Sequence, residues 1–522
     1  MTRSRHLLAS AFLLLGACSA TGSGNPAVEG APAPERLEPR VEELRQDLYA
    51  IAADSFRGRE TGTPDADRAA AWIARRLERL GLEPAGDSGY FQRVPMRRTK
   101  TIVKELTVTT PDGKRTMALG KEIAFLSALG PGALPRLTAA GDVVFASYGI
   151  TDPSLNRNDY EGLQLQGKVV VIAGVVPPGL DSAKAKQMEN PQALFGRLGG
   201  VIGKQPAAVI LLLSDSVYSL AASQFSETQI ELAGPAAAEG TRNFPMIAVA
   251  RLQGGSPLLP AGWPSADKGM ALAGTHFSAA IEHQSTVFNG YNVVGIVRGS
   301  DPTLNKTYVA YGAHYDHVGI QQPAANGDSI ANGADDDGSG TVTLLAIARG
   351  WMEGPRPKRS GLFVWHVGEE KGLFGSQVFT ENPTVPIDSI VAQLNADMIG
   401  RNGEDSLYIV GPMAAPKGQS SVLGAVVDSV NAGLTRKFTF DREWDTPTHP
   451  EQIYFRSDHY NYAKKGIPIV FFTTGLHKQY HQVTDEAALI NYEKMARVGS
   501  LMFRTGMVIG NRGTRPLPSA VQ

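Results

Sequence analysis

The 522-residue sequence has a single cysteine, Cys18. That excludes an intrachain disulfide framework, a four-cysteine zinc site and an iron–sulfur cluster. Neither charge sign is in excess: 50 Lys and Arg stand against 51 Asp and Glu, a net charge of −1. A phosphate-backbone binder needs a basic face, so this balance argues against nucleic acid as a partner. There is no His-Glu-x-x-His run, which removes the commonest one-helix zinc protease design, and no internal repeat. Leu7–Leu15 is apolar, but it falls short of the roughly 20 residues that a membrane-spanning helix takes. What is present is ordinary globular material: 42% apolar residues plus 57 glycines, enough for a large core in two or three domains.

The apolar run at the start suits a signal-peptide core, with Arg3 and Arg5 before it. Leu15-Gly16-Ala17-Cys18 resembles the bacterial lipoprotein cleavage signal. In that reading residues 1–17 are removed, and Cys18 becomes the lipidated first residue of a protein exported across the inner membrane and anchored in the cell envelope. An ordinary secretory signal cleaved near Ala20 is the alternative. Residues 18–36, rich in Ala, Gly, Ser and Pro, read as a flexible tether.

Folding is expected from Leu37. Val41–Ala53 has helical spacing, and a second helix is marked by Thr63 as cap, Pro64 at its first position and Gly81 just past its end. Residues 37–100 form a first part, and residues 101–284 a different texture. There, β-rich runs such as Asp142–Tyr148, Lys168–Ala173, Ala207–Leu213 and Met246–Ala250 are separated by Gly/Pro turns, with one helix near Gln192–Ile202. Residues 285–511 alternate strands (Asn292–Val297, Tyr308–Tyr311, Leu362–Val367, Ile390–Leu394, Ile467–Phe472) with helices (Thr341–Met352, Ser421–Ala432, Asn491–Ile509), followed by a tail over 512–522. Such alternation predicts an α/β domain with a largely parallel mixed sheet flanked by helices, and the stretch before it reads as a small β-rich domain.

In such sheets sites form beyond the carboxyl ends of strands, and polar residues recur there. His314, Asp316 and His317 follow one strand; Asp335-Asp336-Asp337 open a helix; Glu369-Glu370, Asp397 and Tyr480-His481 follow three others. Singly, each has a structural explanation as a cap, a turn or a solvated helix start. Together, so much negative charge in one crevice requires cations. Two imidazoles with several carboxylates suit Zn²⁺ better than Ca²⁺ or Mg²⁺, and a carboxylate can bridge two such ions.

Gly-Ala-His314-Tyr-Asp316, Gly-Ala-Asp-Asp336-Asp-Gly-Ser-Gly, Gly-Glu369-Glu370-Lys-Gly, Asn-Ala-Asp397-Met-Ile-Gly and Tyr480-His481 together resemble the co-catalytic dizinc aminopeptidases, relatives of glutamate carboxypeptidase and the transferrin receptor. Asp54–Pro64, Ser457-Asp458-His459 and Gly466-Ile467-Pro468 are similar to further segments of that family, and residues 101–284 resemble its inserted protease-associated domain. The resemblance implies two Zn²⁺ per chain. His314 and Asp397 would hold one, Glu370 and His481 the other, and Asp336 would bridge both. Glu369 would be the general base, Asp316 an orienting group behind His314, and Tyr480 a stabiliser of the oxyanion. It also implies hydrolysis of peptides with a free amino terminus. His317, Asp335, Asp337 and His459 receive no role beyond structure. A glutamate-carboxypeptidase-type enzyme, a one-zinc glutaminyl cyclase and a non-catalytic receptor-like relative are the alternatives.

The lipoprotein reading predicts that Cys18→Ser moves the protein from membrane to soluble fractions, with hydrolytic activity retained. Fractionation and immunoblotting check this; unchanged membrane association of the variant defeats it.

Overall fold

The computed structural model describes residues 34–125, 136–189, 191–224, 228–234, 245–254, 256–264, 268–411 and 422–516. Cys18, the signal segment and most of the tether lie outside them. Among the described residues, no helix is long and apolar enough to cross a membrane.

The expected helices are present as Val41–Ile51, Pro64–Leu80, Gly340–Glu353, Val422–Ala432 and Tyr492–Asn511. Thr63 stands at the cap position of Pro64–Leu80, but its hydroxyl donates to the Glu60 carbonyl (2.6 Å) rather than capping the helix. Gly81 closes that helix in the left-handed conformation at φ 77°, which costs glycine little.

In the C-terminal half the strand order is Thr439–Asp441, Ser406–Val410, Ile469–Thr473, Ile390–Ala396, Tyr308–His314, Ser360–His366 and Met270–Val297. The four central strands, Ile469–Thr473 to Ser360–His366, run parallel; Ser406–Val410 and Met270–Val297 pair antiparallel at either side. The fold is thus a mixed, largely parallel sheet flanked by helices. Pleating sends alternate residues to opposite faces. Val309, Tyr311, Phe363 and Trp365 pack under the helices Val41–Ile51, Pro64–Leu80, Gly340–Glu353 and Tyr492–Asn511, while Tyr308, Ala310, Leu362 and Val364 join Phe379 and Tyr462 on the other face. Both faces being covered explains why these strands read as unbroken apolar runs. The last strand starts at Ile469 rather than Ile467, since Pro468 has no N–H to give the ladder; its carbonyl accepts from Gln393 N–H (2.9 Å).

The middle of the chain differs from its expected texture. Four strands, Arg136–Phe145, Val169–Ala173, Ala208–Leu213 and Met246–Arg251, lie parallel in sequence order, with helices Ser182–Glu189, Pro191–Ile202 and Asp215–Gln224 between them. Two of these three helices were not expected: Ser182–Glu189 is polar, and Asp215–Gln224 carries Ser and Ala where an apolar stripe would stand. This region has apolar clusters of its own, around Phe145, Val171, Ile210 and Phe277, and around Val170, Leu211 and Tyr218. The borders at 100/101 and 284/285 fall inside two long strands, Phe91–Thr110 and Met270–Val297, which pair antiparallel from Phe91–Val293 to Thr109–His276. Val293–Val297 then continues into the C-terminal sheet beside Ser360–His366.

Packing between helix and sheet is tightest at Gly506. A Cβ there would lie 1.6 Å from the hydroxyl of Tyr311, which is fully buried, stacked on Phe363 at 5.0 Å and bonded by Trp351 Nε1 at 3.1 Å. Gly506→Ala should therefore destabilise by about 1–3 kcal/mol through overpacking, despite alanine's helix propensity. Urea unfolding checks this, and adding Tyr311→Phe should recover part of the loss. A variant as stable as wild type contradicts the packing argument.

Candidate active site

Because the four central strands are parallel, their carboxyl ends share one edge, and the polar motifs meet there. His314 ends its strand; Asp397 follows Ile390–Ala396 directly; Glu369 and Glu370 follow Ser360–His366 after two residues; His481 comes from the loop after Ile469–Thr473. Two groups of donor atoms form, each within 4.8 Å: His314, Asp336 and Asp397, and His317, Asp336 and Glu370. Asp336 belongs to both. His481 completes the second group, its Nε2 lying 3.1 Å from Asp336 Oδ2 and 2.9 Å from Glu370 Oε2. All five residues that sequence reasoning assigned to metal are therefore brought together.

The run Asp335-Asp336-Asp337 divides its labour. Asp335 Oδ1 accepts from Gly400 N–H (2.7 Å), tying this segment to the loop after Asp397. Asp337 accepts from His314 N–H (3.1 Å) and Gly340 N–H (2.8 Å), joining the His314 strand to the start of the helix. Asp336, joined to Asp337 by a cis peptide bond, is left facing the crevice. Its placement is secured from behind by Asp485, one oxygen of which accepts the N–H groups of both Asp335 (2.9 Å) and Asp336 (3.1 Å). His481 and Met398, which follows Asp397, hold left-handed backbone at φ 56° and 57°, a strain of order 1–3 kcal/mol per residue that clusters at functional sites.

Asp316 is fully buried and orients His314 through its main chain: its carbonyl accepts from His314 Nδ1 (3.0 Å), while its carboxylate lies 3.9 Å off. That carboxylate instead accepts from Thr61 Oγ1 (2.6 Å) and from Glu369 N–H (3.2 Å). Thr61 links the N-terminal Asp54–Pro64 segment to the site, and Arg59 links it more firmly. Arg59 is wholly buried and donates to the carbonyls of Ile51, Tyr315, Asn332 and Gly333 at 2.7–3.1 Å.

With Nδ1 engaged, His314 turns Nε2 toward Asp336 Oδ1 (3.2 Å), Asp397 Oδ2 (3.6 Å) and Glu369 Oε2 (3.9 Å), yet this nitrogen is buried without a hydrogen-bond partner, as is Asp336 Oδ2. Unpartnered imidazole and carboxylate donors facing one another suit a divalent cation in each group. With only protein groups present, burial and then the charges of Asp397 and Glu370, opposed by His314, leave the Glu369 carboxyl well above its usual range. Burial works the same way on Asp336, but the imidazoles of His314 and His481 overcome it and hold Asp336 low. Burial also pushes the Tyr480 hydroxyl up, so it stays protonated.

His317, read from sequence as structural, is at the site: its Nδ1 lies 2.7 Å from Glu370 Oε1. Four more residues escape sequence reasoning. Arg59, Thr61 and Asp485 act through backbone or hydrogen-bond contacts across long chain separations, and Arg456 sits in a loop with no metal-ligand pattern. Only His481-x-x-x-Asp485 offers a local signal. His459 stacks on Phe471 (4.6 Å) and meets the Tyr454 carbonyl through Nε2 (2.9 Å), a packing role.

The site is thus two groups of metal-ligand type sharing a carboxylate at the carboxyl edge of a mixed, largely parallel sheet. Residues 292–505 match the model of Peptidase family M28. Leucine aminopeptidase 1 of Aspergillus fumigatus is 29% identical over 234 residues, 42% of this chain and 55% of that protein. A probable leucine aminopeptidase 1 of Trichophyton verrucosum is 31% identical over 186 residues, 34% of this chain and 46% of that one. The chain thus spans about half the length of these curated relatives. In fold it is similar to an aminopeptidase from Aneurinibacillus sp. strain AM-1 (TM-score 0.58, 17% identity, 94% of this chain and 98% of that one). It is also similar to BSAP, a zinc aminopeptidase from Bacillus subtilis (TM-score 0.50, 17% identity, 90% and 95%).

The geometry separates His481 from His317. His481 reaches both Asp336 and Glu370, whereas His317 is spent on Glu370 and lies 3.8 Å from Asp336. His481→Ala should abolish binding of one divalent cation per chain, and His317→Ala should weaken it roughly 10–100-fold, as loss of an orienting partner does. Equilibrium dialysis with Zn²⁺ checks this; equal losses in the two variants would make His317 a ligand.

Proposed function

We propose that this chain is a zinc-dependent aminopeptidase that removes amino-terminal residues with apolar side chains from peptides, using two Zn²⁺ per chain. The observation that carries the proposal is the pair of donor groups sharing Asp336, with Glu369 beside them and hydrogen-bonded to neither. His314 and Asp397 would hold one ion, Glu370 and His481 the other, and Asp336 both. Bound there, zinc supplies a water of lowered pKa and polarises the scissile carbonyl.

The chain's own residues do the rest. Glu369 accepts the proton of the attacking water and returns it to the leaving amine. Asp316 holds the main-chain N–H of Glu369 and the ring of His314, so base and ligand keep one spacing. Tyr480 donates a hydrogen bond to the developing oxyanion. Met398, Trp444, Ile453, Phe471 and Leu476 line a pocket that Asp336, Glu369 and Asp397 also border, a setting for an apolar side chain next to the cleaved bond. The names of the fungal relatives support the same preference. A carboxypeptidase needs a cluster of cations to hold a free carboxylate, and among the described residues lining this pocket Arg456 is the one cation. Export with lipidation at Cys18, and a protease-associated role for residues 101–284, belong to the same proposal.

Glu369→Gln keeps the shape and removes the base. Hydrolysis of an aminoacyl p-nitroanilide should fall about 10²–10⁴-fold while the zinc content stays at that of wild type. Kinetics and metal analysis on one preparation check this. Full activity in the variant, or equal wild-type cleavage of amino-blocked and free substrates, defeats the proposal.

A further inference from the structure

We propose that Arg456 is a positioning residue that fixes Tyr480 as a hydrogen-bond donor toward the reacting carbonyl, an inference that rests on the aminopeptidase reading above. Arg456 Nη2 lies 3.2 Å from Tyr480 Oη, and the guanidinium carbon is 5.9 Å from the ring centroid. A guanidinium has donors and no acceptor, so in this bond the phenol oxygen accepts. The phenol carries a single hydrogen. With its accepting side taken by Arg456, that hydrogen must be directed elsewhere, and the space Tyr480 borders is the pocket shared with Asp336, Glu369 and Asp397.

The ring has little freedom to choose otherwise. It stacks on the imidazole of His481 with centroids 3.9 Å apart and planes 25° from parallel. One side of Tyr480 is thus set by a proposed metal ligand and its tip by Arg456. Arg456 is fixed in turn by its main chain: its N–H donates to the Ile453 carbonyl (3.0 Å), and it precedes the buried run Ser457-Asp458-His459. Its side chain keeps 38% of its surface in solvent, so replacing it leaves no buried hole. The pairing also places a positive charge behind the hydroxyl, where negative charge develops in front.

A double-mutant cycle on the full-length zinc-loaded protein tests this, with an aminoacyl p-nitroanilide as substrate so that no substrate carboxylate is present. Tyr480→Phe should lower kcat about 100-fold, the loss of one oxyanion donor. Arg456→Met should lower kcat about tenfold, with KM within about twofold and zinc content unchanged, and in the Tyr480→Phe background it should cost nothing further, because the two act as a unit. Arg456→Lys should restore part of the rate. Additive losses in the double variant overturn the inference while the aminopeptidase reading stands. An Arg456→Met effect confined to the KM of dipeptides overturns it too, by making Arg456 a carboxylate anchor. A zinc-loaded wild type that cleaves no aminoacyl substrate overturns both.

Discussion

Four carboxylates, Asp336, Glu369, Glu370 and Asp397, are drawn into one largely buried crevice, and the remainder of the structure answers that constraint. Burying an ionised carboxylate costs far more than burying a hydroxyl unless an opposite charge or good hydrogen bonds offset it. Part of the offset is built in. Arg59 is entirely buried behind the site, close enough to Asp316, Asp336, Asp485 and Asp337 for each to act on it electrostatically. Four of its five N–H donors are used on main-chain carbonyls, so it works as a fixed charge and as a staple between these segments. On the crevice side the imidazoles of His314, His317 and His481 face the carboxylates, and the unpartnered His314 Nε2 and Asp336 Oδ2 suit a cation there. The N-terminal segment, distant in sequence from every ligand, is thus part of the site because its guanidinium sits beneath it.

How much of this can be read without coordinates depends on where a contact's two ends lie in the chain. His314, Asp336, Glu369, Glu370 and Asp397 each stand just beyond an apolar strand or at the start of a helix, so strand periodicity alone puts them on one edge. Their convergence is legible because parallel strands carry their ends to the same side. Arg59 is not legible in that way: its partners Tyr315, Asn332 and Gly333 are more than 250 residues away. Asp316 illustrates a subtler gap. Its place beside His314 follows from spacing, but the use of its carbonyl for the imidazole and its carboxylate for Thr61 and Glu369 follows from the turn, which spacing does not encode.

The middle region shows the same division. Its strands are plain in the runs of Val, Ile and Leu, whereas their parallel pairing through intervening helices and the joint to the C-terminal sheet are hidden. Composition changes near residues 101 and 284, but hydrogen bonding does not. Phe91–Thr110 and Met270–Val297 carry one ladder through both borders, so the two strands form a ribbon with an end in each region. A boundary drawn by texture marks where the core changes; the backbone pairing runs on past it. Movement of the middle region relative to the C-terminal sheet would therefore be a bending or twisting of this ribbon, since a free hinge would break ladder bonds that have no replacement partner.

In the proposed reaction, chemistry and selectivity would be carried by one stretch of chain. From Phe471 to His481 the backbone leaves the sheet, lines the apolar pocket with Phe471 and Leu476, presents Tyr480 and ends on His481. Gly475, at φ 91°, lets that turn pass close to Tyr408 and Trp444, where a Cβ would come within 2.8 Å of the Tyr408 ring. The stacked pair Tyr408–Trp444, 4.0 Å between centroids, thus backs both the turn and the pocket wall. Reshaping the pocket from this side would move the turn and with it His481, which follows six residues later. Substitution at Ile453, on another wall of the pocket, has no such route, whereas Met398 adjoins Asp397 and its carbonyl accepts from Thr474 in the same turn (2.8 Å). On physical grounds Ile453 is the position where side-chain preference can change while the donor groups around Asp336 keep their geometry.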